Sequence, residues 1–185
     1  MQKQLVKKEI TLPDGIFEYL DSLKTERAGI VAEDGSFQAA QEEERKSNVS
    51  FFPDDSWLGK FLYKEVMQVN DDIWKYNLYG FDNHLIQYTS YEPGDHYSWH
   101  VDTLDREIDR KLSFSLVLND DYEHGEFQFA RYKFTPSAMF VDAITVPSQV
   151  GSLIVFPSYT PHRVLAVKSG IRKSIVGWMV GPPFQ

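Results

Sequence analysis

From His84 onward the chain is a succession of short runs rich in Val, Ile, Phe, Tyr and Thr, broken by Pro, Gly, Asn and Asp at intervals that suit antiparallel strands. This texture predicts strands at 84–91, 97–102, 111–118, 126–132, 138–146, 151–156, 161–167 and 171–180. Eight such strands make a jelly roll of two facing sheets, an architecture that holds small sites in its mouth. Ahead of them, Ile16, Leu20 and Leu23 recur at helical spacing after Pro13 and Asp14. Trp57, Leu58, Phe61, Leu62, Val66 and Val69 form a second apolar stripe, with Asp55 or Ser56 as its cap. The polar stretch from Ala32 to Lys46 reads as an exposed connection, and 32–50 and 103–109 are expected around the mouth.

The expectation is an α+β chain: a double-stranded β-helix (jelly roll) of about eight antiparallel strands with N-terminal support helices. Residues 1–185 are read as one domain, 1–80 as its helical support region and 84–180 as the core that carries the chemistry.

Composition narrows the chemistry. With no cysteine, disulfides, thiolate nucleophiles and iron–sulfur ligation are excluded, so a metal site would need His and carboxylates. Nineteen Lys and Arg against 27 Asp and Glu give a formal charge of -8, which argues against nucleic acid and anionic membranes as partners. The N-terminal residues carry no signal-peptide pattern and no window is long and apolar enough to span a membrane, so a soluble, cytoplasmic protein is expected.

The five histidines are His84, His96, His100, His124 and His162. In Trp99-His100-Val101-Asp102, strand alternation sends His100 and Asp102 to one face, where they can pinch a metal ion. With His162 they match a two-histidine, one-carboxylate facial triad, which on iron(II) leaves positions open for a chelating cosubstrate and dioxygen. Zinc is the rival occupant, and the ligands alone do not choose.

Arg172 does. If Lys168-Ser169-Gly170 is a hairpin turn, His162 lies about seven residues before its centre and Arg172 about three after it, an offset of about 13 Å along neighbouring strands. A metal-bound five-carbon diacid and an arginine side chain, each about 6 Å long, span that gap. A buried guanidinium then holds the distal carboxylate of 2-oxoglutarate, a requirement a zinc hydrolase lacks. Alternation sends the competing Lys173 to the opposite face.

Three segments, QYTSYEPGDHYSWHVDT (87–103), RKLSFSLVLNDDYEHGEFQF (110–129) and GSLIVFPSYTPHRVLAVKSGIRKSIVGWM (151–179), resemble the non-haem iron, 2-oxoglutarate-dependent dioxygenases of the prolyl 4-hydroxylase-like (PKHD-type) group. The N-terminal part adds only an Arg45-x-Ser47 echo. The resemblance implies that His100, Asp102 and His162 ligate Fe(II) and that Arg172 binds 2-oxoglutarate. It places Tyr91 in the cosubstrate pocket and matches Tyr97 to a family tyrosine, although alternation turns Tyr97 away from His100. Trp178 fits a family tryptophan and is expected to pack in the core.

Two departures stand out. His124-Gly125-Glu126 replaces a Gly-Gly pair, and Val117 stands where some hydroxylases carry a tyrosine that donates to the cosubstrate. Tyr88, Tyr91 and Ser115 are the candidates for that second donor. His84, His96 and His124 are expected outside the site.

The activity implied is O2-dependent hydroxylation of an unactivated C–H bond, on a prolyl or other amino-acid or peptidyl side chain, giving succinate and CO2 with ascorbate as reductant. A jelly-roll binding or assembly module with a vestigial metal site is the alternative. Nucleic-acid demethylation by the same chemistry is disfavoured by the charge.

Overall fold

The computed structural model describes residues 4–31, 37–39, 43–135 and 138–184. The N-terminal part contributes β1 (Val6–Glu9), α1 (Ile16–Asp21), β2 (Glu26–Arg27), β3 (Gly29–Val31), β4 (Phe37–Ala39), β5 (Arg45–Lys46), β6 (Asn48–Pro53), α2 (Trp57–Ile73) and β7 (Gly80–Phe81). Then follow β8 (Leu85–Tyr91), β9 (His96–His100), β10 (Asp109–Val117), β11 (Glu123–His124), β12 (Phe127–Thr135) and β13 (Ala138–Thr145). The chain finishes with β14 (Ser152–Pro157), β15 (His162–Val164), β16 (Val167–Ser169) and β17 (Arg172–Gly181).

Two antiparallel sheets face each other. The larger has the order β1-β14-β10-β17-β8-β6-β2, with β7 also on β17, and the smaller has the order β13-β12-β15-β9-β5. This is the double-stranded β-helix expected from the strand texture. Both helices cover the outer face of the larger sheet: Leu58, Leu62 and Val66 of α2 and Leu20 of α1 pack against Phe52, Leu116 and Ile175. Each such fully buried side chain contributes roughly 1.5–3 kcal/mol. The inter-sheet core is smaller and contains Phe127, Phe129, Ile154, Phe156 and Val164.

Ser56 caps α2, its hydroxyl accepting from the Gly59 N–H at 3.1 Å. Of the predicted stripe, Leu58, Leu62, Val66 and Val69 are buried while Trp57 is exposed and meets Tyr19 edge-on.

Three readings need amending. First, residues 1–80 are not simply helical, because β1 pairs with β14, β6 with β8 and β5 with β9. These strands are two to six residues long, and their partners lie far away in sequence, so local texture does not announce them. Second, 161–167 is not one strand but β15 and β16. Third, Lys168-Ser169-Gly170 is not the turn of a hairpin between the His162 and Arg172 strands. Residue Ser169 pairs with Glu123 of β11, and Gly170, at φ +74°, then carries the chain across to the larger sheet. An added Cβ there would meet the Asp121 carbonyl at 2.5 Å, so glycine is what lets the chain cross. Of the predicted connection 32–46, residues 32–36 and 40–42, Glu42 included, lie outside the described residues.

Candidate metal centre

His100 ends β9 and His162 begins β15, and the antiparallel register sets the two residues opposite one another. Their rings stand 4.1 Å apart, centroid to centroid. Asp102 lies beyond the end of β9, not within it as expected. Its backbone N–H donates to the Ser158 carbonyl at 2.9 Å, which turns the carboxylate inward. One ligand atom from each of His100, Asp102 and His162 falls within 4.8 Å of the others.

The hydrogen bonds behind the rings fix the tautomers. Nδ1 of His100 lies 2.8 Å from the Ser98 carbonyl and Nδ1 of His162 lies 2.9 Å from that of Thr160. A carbonyl only accepts, so each Nδ1 carries the proton and each Nε2 presents a lone pair. Both Nε2 atoms face Asp102, at 3.7 Å from Oδ1 for His100 and 3.5 Å from Oδ2 for His162. Burial pushes the His100 imidazole down to about 3, with His162 beside it adding to the shift, so the ring stays neutral. Burial alone would raise the Asp102 carboxyl, but His162, His100, Arg110 and the Ser113 hydroxyl together hold it below its ordinary value. Two neutral imidazoles and one carboxylate form the donor set that a divalent transition metal takes, and the geometry fits iron(II).

Arg172 approaches from the opposite sheet. It opens β17, opposite Tyr91 of β8 in register, and is 2% exposed. Its guanidinium carbon lies 5.5 Å from the Tyr91 ring centroid. Nη1 donates to the Ser174 hydroxyl at 3.0 Å, while Nε is buried with no partner. The triad, Arg172 and Tyr91 line one cavity, which Lys173 does not reach. A buried guanidinium nitrogen without an acceptor, on a side chain that lines the same cavity as three metal donors, is the feature a distal carboxylate would complete. Arg172 and His162 thus line one cavity from different sheets, not from adjacent strands.

Tyr88 is a correction. Alternation along β8 turns it to the helix-covered core, while Gln87 and Tyr91 face the cavity. Trp178 is another: it shares the cavity face of β17 with Arg172, Ser174 and Val176, and the Arg110 guanidinium stacks over it at 4.0 Å. Ser115 does line the cavity.

Tyr97 was expected to turn away from His100, yet its ring stacks on the imidazole at 3.5 Å and 12°. An irregularity in the β9–β15 pairing, where Ser98 and Trp99 of β9 stand opposite Arg163 alone of β15, brings both to one side. Arg45 of β5 then covers Tyr97 at 4.7 Å. His96 bonds at the rim, to the Glu43 carbonyl at 3.2 Å. His84 pairs with Asp54 on the surface, and His124 is exposed. Sequence reasoning missed Ser174, whose signal was its place two residues after Arg172, and Ser113 and Ser158, which had none.

Residues 86–180 match the family model for the 2OG-Fe(II) oxygenase superfamily. The chain belongs to this superfamily. A PKHD-type hydroxylase of Synechococcus sp. strain CC9902 is 37% identical to this chain over 99 residues, 52% of this chain and 41% of that one. The chain spans about half the length of the curated relatives it matches. Among solved structures, a Pseudomonas putida prolyl-4-hydroxylase superposes with a TM-score of 0.65 at 21% identity, covering 95% of this chain and 92% of that one. A Trichoplax adhaerens prolyl hydroxylase, in complex with a hypoxia inducible factor oxygen degradation domain peptide fragment, gives 0.68 at 14% identity, over 95% of this chain and 83% of that one. These similarities show that the chain shares the fold of the two hydroxylases.

Proposed function

We propose that this chain, acting as one domain, is an Fe(II)- and 2-oxoglutarate-dependent dioxygenase that hydroxylates an unactivated C–H bond of a prolyl or other amino-acid or peptidyl side chain. The observation that carries the reading is the partnerless Nε of Arg172, buried in the cavity that also holds the His100, Asp102 and His162 donors. Bound iron would supply the dioxygen chemistry and the oxidative decarboxylation that releases succinate and CO2.

The protein's part is binding, orientation and exclusion of water. His100, Asp102 and His162 hold the metal, and Arg172 with Ser174 anchors the distal carboxylate. Phe127, Phe129 and Phe156 pack around the His162 ring, with centroids 5.6, 5.9 and 4.7 Å away, and keep that side dry. On the other side the cavity continues past Tyr97 and Trp178 into a wider cleft over Phe51, Leu85 and Val101. Its lining mixes these apolar residues with Glu26, Asp82 and Arg110, which suits a side chain of low polarity presented on a polar peptide backbone, in keeping with the peptide bound in the Trichoplax adhaerens structure. A cytoplasmic setting and ascorbate as reductant belong to the same reading, since both keep iron ferrous.

The test is to mix the metal-free protein with Fe(II) and labelled 2-oxoglutarate in air, alone and with proline-containing peptides. Succinate above that of Asp102→Ala is expected. Tight Fe(II) binding with no succinate under any condition would instead support the non-catalytic binding module.

A further inference from the structure

The two oxygens of Asp102 are held differently. Oδ2 accepts a hydrogen bond from the Ser113 hydroxyl at 2.7 Å, and the Ser158 hydroxyl lies 2.9 Å from that of Ser113. Asp102 is 7% exposed, Ser113 1% and Ser158 not at all. The direction of this chain of hydroxyls is forced. An ionised carboxylate only accepts, so the single Ser113 proton goes to Oδ2, and Ser158 must donate to Ser113. Donation from Ser158 polarises Ser113 and strengthens its bond to the charge.

The backbone closes the same loop. Ser158 accepts from the Asp102 N–H at 2.9 Å, and its own N–H donates to the Lys111 carbonyl at 3.1 Å. Ser113 lies on β10, and Ser158 directly follows β14; these two strands pair in the helix-covered sheet, with Leu112 opposite Pro157. The sheet that does not supply the ligands therefore grips the carboxylate of the one that does. Among the described residues no hydrogen bond reaches Oδ1.

We propose that Ser113 and Ser158 are positioning residues that commit Oδ2 of Asp102 and leave Oδ1 as its one ligand oxygen. A carboxylate free to bind through both oxygens would occupy a metal position that 2-oxoglutarate or dioxygen needs. The relay keeps that position open. This rests on the iron-centre reading above.

Cobalt(II) under anaerobic conditions is the probe, because its visible absorption reports coordination number without turnover. Ser113→Ala is expected to keep the wild-type circular dichroism and to bind Co(II). Its Co(II) spectrum should shift, and 2-oxoglutarate should bind the Co(II)-loaded protein about tenfold more weakly. Ser113→Thr, which keeps the hydroxyl, should restore both, and Ser158→Ala should move them in the same direction by less. If Ser113→Ala does not fold, Ser158→Ala is read in its place. A wild-type spectrum and wild-type 2-oxoglutarate affinity in the alanine variant would overturn the relay alone. A wild-type protein that binds neither Co(II) nor 2-oxoglutarate would overturn the iron-centre reading and the relay with it.

Discussion

Strand β14 of the larger sheet is buried at all six positions, whereas β9 of the smaller sheet is exposed or half-exposed at all five. The larger sheet is enclosed by helices on one face and by the other sheet on the second, so its strands read as nearly continuous apolar runs. The smaller sheet has one covered face and carries His100 and His162. Most of the burial lies in one sheet and the histidine donors in the other, and the enclosed sheet contributes Arg172, Ser174 and Tyr91 to the cavity and Ser113 to the Asp102 carboxylate. The candidate ligands His100 and His162 sit on the thinner, more exposed sheet, while Arg172 and Ser113 are set in the thicker, enclosed one.

The comparison can be broken in several ways. Asp102→Ala or His162→Ala should lose more than about a hundredfold in iron-dependent succinate formation, beyond the 10–100-fold usual for outer-shell partners. Full activity in either would mean the donor set is wrong. On stability, Leu116→Ala in the enclosed sheet should cost about 2–5 kcal/mol by urea titration. Trp99→Ala should cost less than about 1 kcal/mol, since Trp99 is 40% exposed, with the Arg163 guanidinium over its ring at 4.5 Å. Equal costs would erase the division between the sheets.

Arg172→Ala should raise the 2-oxoglutarate requirement about 10–100-fold, the value of a hydrogen-bonded charge pair. An unchanged requirement would move the role elsewhere. A smaller effect is expected from pH. His100 titrates at about 3 in the folded, metal-free protein against 6.5 ordinarily, so between those values the unfolded chain holds the extra proton. Stability should therefore fall as pH drops from about 6.5 toward 3, and Asp102, held below its ordinary value, adds to the loss at the acid end. Urea midpoints of the metal-free protein at pH 7 and pH 4.5 should differ, and His100→Asn should shrink the difference. Smallest of all, Tyr88→Phe should leave the 2-oxoglutarate requirement where it was.

The sequence by itself determined the eight-strand texture after residue 84, the cap and inner face of α2, and the residue types that converge on the cavity. These are local or period-2 properties, and alternation alone assigns Arg172 and Lys173 to opposite faces. Alternation also separates Tyr88 from Tyr91, a distinction that family likeness blurred. The rest arises from long-range packing. Short strands such as β1 and β5 exist because distant partners pair with them, and the bulge that stacks Tyr97 on His100 belongs to a pair of strands, not to either one. Gly170 carries the chain to the other sheet, so Arg172 lines the cavity of the metal donors from the opposite side. Ser113 meets Asp102 over 11 positions and Ser158 meets Ser113 over 45, and no local pattern encodes a contact that only packing creates.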